Sequence, residues 1–71
     1  MTLNEARNQR AEFLADALGL YKRVKQQGGV RIDRNGNLLW GSKNDELNWK
    51  MLHAAADGAV ARYYAEQRRR R

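Results

Sequence analysis

Apolar residues recur along the first third of the chain at Leu3, Ala6, Phe13, Leu14, Ala17, Leu18, Leu20, Tyr21 and Val24. Wound at 3.6 residues per turn they share one broad face, while Glu12, Asp16, Lys22, Arg23 and Gln26 fall away from its centre. Thr2 precedes this run with Glu5 three positions on, the spacing of a capping box. The pattern stops at Gly28-Gly29, a C-cap pair, behind the cations Lys22, Arg23 and Lys25, which suit the negative pole of a helix. The spacing predicts a helix over about 3–27.

From Val30 to Trp40 the period changes to two, on either side of Asn35-Gly36. Alternation around an Asn-Gly pair predicts a β-hairpin. A two-residue turn would pair Ile32 with Leu39 and turn Trp40 outward. A three-residue loop, Arg34-Asn35-Gly36, pairs Ile32 with Leu38 and Val30 with Trp40, and gathers all four apolar side chains on one face. Burial decides register, so the second pairing is expected, with Asp33 opening a type I turn and Gly36 in the left-handed position.

Ser42 with Asp45, or Asn44 alone, can cap a second helix over about 44–68. Trp49, Leu52, Ala56, Ala59, Val60 and Tyr63 form its main apolar face. Leu47, Met51, Ala54, Gly58 and Ala65 form a second, smaller-grained one, while Lys50, His53 and Asp57 lie on the polar side. The expected fold is α+β: two antiparallel helices joined by a hairpin, in one domain spanning 1–71 with a basic tail at 68–71. Helix–hairpin–helix order at this length resembles, in architecture alone, phage head–tail joining proteins. No motif residue carries the resemblance, so no site is transferred.

Length sharpens the packing question. A chain of 71 residues buries only roughly 60% of its unfolded surface. With no cysteine to staple it, stability must come from helix packing or from a partner. The second apolar face makes a homodimer one such route. It serves equally for docking on another protein.

Fourteen basic residues against eight acidic ones give a net charge of +6, of which Arg68, Arg69, Arg70 and Arg71 supply four. A basic excess predicts attraction to polyanions. Lys22, Arg23, Lys25, Arg31, Arg34 and Lys43 belong to the hairpin end, and the arginine run belongs to the other. A 24-residue helix spans about 36 Å, close to one turn of B-DNA at about 34–36 Å. These ten residues are therefore the predicted contacts to double-stranded DNA, made mainly to phosphate with little sequence preference. Trimming the arginine run is expected to weaken binding more than altering Lys22 and Arg23 together.

Catalysis has little to work with. His53 is the one histidine, expected at the solvent edge of its helix. Ser42, His53 and Asp57 can be written as a triad, but no nucleophile-elbow motif surrounds Ser42. His53 and Asp57 are two ligands at most, too few for a metal. Gly28-Gly29 leads into a strand rather than a phosphate-cradling helix start, and no cofactor is expected. Arg10, near the first apolar stripe, is expected to pair with Glu66.

The first twenty residues carry Glu5, Arg7, Arg10, Glu12 and Asp16, which fit no secretory h-region, and no apolar run reaches the ~20 residues a membrane span needs. The expectation is a non-enzymatic, cytoplasmic DNA-binding protein. The alternatives are a phage-type or mobile-element inhibitor or adaptor that docks on a larger host protein, and a virion assembly component.

Overall fold

The structure, a computed structural model, describes residues 1–69. Arg70 and Arg71, the last two of the predicted DNA contacts, lie outside the described residues. The element order is α1 (Leu3–Gln26), β1 (Val30–Ile32), β2 (Leu38–Trp40) and α2 (Lys43–Arg69). This is the α+β helix–hairpin–helix arrangement that the apolar periodicity predicts.

Each junction has a local cause. Thr2 caps α1, its Oγ1 accepting the Glu5 N–H at 3.1 Å. At the other end Gly28 takes φ +74°. Its N–H donates to the Lys25 carbonyl at 3.0 Å, and the Gly29 N–H donates to the Val24 carbonyl at 2.9 Å. These two bonds form a Schellman motif and satisfy carbonyls that the helix leaves open. A side chain at Gly28 would be forced into the left-handed region, which costs an L-residue about 1–2 kcal/mol. Gly28→Ala should therefore lower unfolding stability by about 1 kcal/mol in a urea titration. An unchanged midpoint would mean that the chain leaves α1 by some other turn.

The hairpin adopts the three-residue register: Val30 pairs with Trp40, Arg31 with Leu39 and Ile32 with Leu38. Gly36 sits at φ +82°, and its N–H donates to the Asp33 carbonyl at 3.1 Å. The Asp33 carboxylate works inside the same turn, Oδ1 accepting the N–H groups of Asn35 at 2.9 Å and Asn37 at 2.8 Å. At the base of the ribbon the Gly41 N–H donates to the Gly29 carbonyl at 2.8 Å. That bond fixes where α2 begins relative to the end of α1.

The helices then run back to back. Leu20 and Arg23 line one groove with Asn48 and Leu52, and Gln9 and Phe13 line the next with Ala59 and Arg62, an antiparallel arrangement. The seam uses alternating steps of three and four from Phe13 on, after a step of seven from Ala6: Ala6, Phe13, Ala17, Leu20 and Val24 against Trp49, Leu52, Ala56, Ala59 and Tyr63. Ala6, Ala17, Ala56 and Ala59 are buried, and such small side chains let the helices approach closely. The larger residues collect at the hairpin end. There Leu20, Val24 and Val30 form the core, with Tyr21, Leu38, Trp40, Trp49 and Leu52 packed around them.

Several expectations need correction. Ile32 shares the inward face of the ribbon with Val30, yet it is 55% exposed. It lies two residues further toward the turn, about 7 Å beyond the base, where the helices no longer cover it. Leu18 is also half exposed, at the edge of the α1 stripe. His53 is not a solvent-edge residue. It is half-buried, its ring centroid 4.4 Å from that of Trp49, and its Nε2 is buried without a hydrogen-bond partner. The Arg10–Glu66 ion pair does not form, and Arg10 is exposed. The helix register explains this, because Arg10 lies level with Arg62 and Glu66 sits about a turn further on. The second helix, expected over about 44–68, is borne out and ends at Arg69, so the arginine run begins as its last turn.

Candidate nucleic-acid interface

Lys22, Arg23 and Lys25 emerge from the last turns of α1, Arg31 from the middle of β1, Arg34 from the hairpin turn, and Lys43 from the first position of α2. All six are exposed and belong to one end of a rod measuring 49 × 20 × 19 Å. Arg68 and Arg69 are exposed at the opposite end. Among the described residues the one ion pair is Lys50 Nζ to Glu46 Oε1 at 3.0 Å. None of the eight described candidates is thus neutralised by a carboxylate of its own chain. Lys25 alone has a defined neighbour, with its Nζ 5.6 Å from the centroid of Tyr21, a cation–π distance that leaves the charge in place.

The antiparallel register turns a scattered sequence of charges into three zones. Residues 22–50 carry seven cations against Asp33, Asp45 and Glu46. Residues 1–10 and 62–69 together carry five cations against Glu5 and Glu66. Between them, residues 11–21 and 51–61 contain Glu12, Asp16 and Asp57 and no lysine or arginine. The molecule is a rod with two basic poles and an acidic waist.

The second pole is larger than the arginine run. Arg7, Arg10 and Arg62 are exposed and join Arg68 and Arg69 there, and none of the three belonged to the predicted contact set. The signal for them was the pairing of the first turns of one helix with the last turns of the other, which places residues 7–10 beside 62–69.

The chemistry available is electrostatic. Ser42 precedes α2 by one residue and His53 lies eleven residues along it, about 16 Å away by helical rise, so the paper triad has no geometry. Among the described residues no three His, Asp or Glu side chains cluster to hold a metal ion. Among them, too, no helix is long and apolar enough to cross a membrane. No protein-family model matches the chain, and comparisons with curated proteins and with solved structures return no match.

Proposed function

We propose that the protein binds double-stranded nucleic acid, DNA first, by its two basic poles, through phosphate contacts and with little sequence preference. The observation that carries this reading is the state of its cations: every described member of the contact set is exposed and free of a carboxylate partner. Arginine forks match phosphate oxygens two at a time. The 49 Å length of the rod exceeds one B-DNA turn of about 34–36 Å, so both poles can meet the backbone one turn apart. No element presents the recognition helix that reads base edges in helix-turn-helix proteins. The two-stranded ribbon is short, and its tip offers Arg34 and Asn35 as backbone contacts.

Fluorescence anisotropy with a duplex of arbitrary sequence, its single strand and an RNA hairpin tests the proposal. The duplex should bind, with a log–log salt slope of about −5, the value for five or six phosphate contacts. Changing the duplex sequence should leave the affinity within about threefold, since phosphate contacts carry no base information. Absence of duplex binding at low salt, or a flat salt response, would overturn it.

A second reading, docking on a larger protein, draws support from a separate feature. Leu47, Met51 and Ala54 are exposed on α2, and Gly58 is half exposed between them, so part of its smaller apolar face has no partner within the chain.

A further inference from the structure

We propose that the acidic waist is a dimer interface, occupied by a second copy of this chain related by a two-fold axis and running antiparallel to the first. A continuous groove follows the line between α1 and α2 on one side of the rod. Its wider part, about 720 Å³, is lined by apolar residues including Phe13, Leu20, Met51 and Leu52 and by the charged Asp16 and Arg23. Its narrower part, about 440 Å³, shares Phe13 and Ala55 and continues past Glu12 and Gly58 to Arg62.

The surface area of the chain is large enough to supply such a contact. The chain exposes 5856 Å², whereas a compact monomer of 8.2 kDa should expose about 4,500 Å². The excess, about 1,300 Å², is more than the roughly 800 Å² that each partner contributes to a standard interface. Its radius of gyration, 15.1 Å, compares with about 11 Å for a compact chain of this length. Among the described residues no large side chain is fully buried, and Met51 is 67% exposed in the apolar lining.

The glycines supply an independent argument. Gly19 and Gly58 lie inside long helices, where glycine costs about 1 kcal/mol relative to alanine. A Cβ on either would meet nothing within 4 Å, so packing within the chain does not require them. Both leave room for close approach from outside.

One axis position matches Met51 with Gly58 and Arg23 with Glu12 together. Placed at Ala54 and Ala55, the axis has Met51 and Gly58 about 5 Å along α2 on either side of it. The two-fold then seats the Met51 side chain of each copy over the Gly58 of the other. On α1, Arg23 and Glu12 lie about 8 Å on either side of the same level. The same rotation brings each copy's Arg23 to the other's Glu12. Small alanines stand where the two chains cross, and of the hairpin pole Arg23 is drawn into the contact. Every contact occurs twice, as an isologous interface requires.

Sedimentation equilibrium of the full chain at micromolar to submillimolar concentration, without nucleic acid, tests this independently of the DNA reading. The wild type should be a dimer. Gly58→Leu fills the seat of Met51 and should raise the dimer Kd by about tenfold or more, because the two-fold duplicates the change. It should still fold, since leucine is the better helix former and its own chain leaves room there. Arg23→Glu should also weaken the dimer, and Arg23→Glu combined with Glu12→Arg should restore it. A monomer throughout the range would overturn the proposal. So would a dimer that Gly58→Leu leaves intact, or a charge swap that fails to restore assembly.

Discussion

Trp49→Ala should lower unfolding stability by about 3 kcal/mol, the lower end of the range for emptying an aromatic site. For a domain of this length that is a fall in Tm of about 12–24 °C. Trp49 is where the two helices and the hairpin meet. Its ring centroid lies 6.0 Å from Tyr21 on α1, 5.6 Å from Trp40 on β2 and 4.4 Å from His53 one turn along α2. A lone two-stranded hairpin has little stability of its own. The ribbon is held by Val30 and by the Trp40–Trp49 contact. Total stability at this size is roughly 4–10 kcal/mol, so losing 3 removes a large part of it. The low end of the mutational range applies because Trp49 is only half-buried. Circular-dichroism melts at one fixed protein concentration would measure the shift, with Trp49→Phe as the variant that keeps an aromatic ring. A Tm within a few degrees of wild type for Trp49→Ala would mean that the alanine seam alone holds the fold.

The same region shows what could be read along the chain and what could not. Helix limits were legible because their causes are local: Thr2 with Glu5, the Gly28-Gly29 stop and the 3.6-residue period need only neighbours in sequence. The hairpin register was legible for a different reason. Only one pairing places Val30, Ile32, Leu38 and Trp40 on one side, and Gly36 fits the positive φ it requires. Coverage was not legible. That Ile32 shares a face with Val30 follows from alternation, but its exposure depends on how far the helices reach beyond the ribbon base. His53 was misplaced for a related reason. It stands at the edge of the wheel, and the bulk of Trp49 one turn before it decides which way that edge faces. Arg10 and Glu66 share a seam in sequence, but pairing needs the axial register, which is set by the Gly41–Gly29 bond at the far end. The candidate interface divides along the same line. Exposure of the lysines and arginines was expected from composition, whereas the membership of Arg7, Arg10 and Arg62 in the second pole needed the antiparallel pairing.

Removing Arg68 to Arg71 should weaken duplex binding by about two to three orders of magnitude near 0.1 M salt, because each phosphate contact contributes roughly tenfold there. The log–log slope should become shallower by about 2–3. Arg68 and Arg69 are exposed in the last turn of α2, where the helix dipole is negative and cations are accommodated without an acidic partner. The comparison variant is Lys22→Gln/Arg23→Gln, which removes two charges from the hairpin pole and should cost less than a hundredfold by the same rule. Because Arg23 is also placed at the proposed contact between copies, Lys22→Gln/Lys25→Gln belongs beside it, removing the same charge without touching the waist. All four proteins must be titrated at one ionic strength, since screening changes every term. Equal losses from the truncation and from the hairpin-pole variants would make the two poles equivalent grips on successive turns. A truncation that binds like the full chain would remove the arginine run from the interface and leave the work to Arg7, Arg10 and Arg62 beside it.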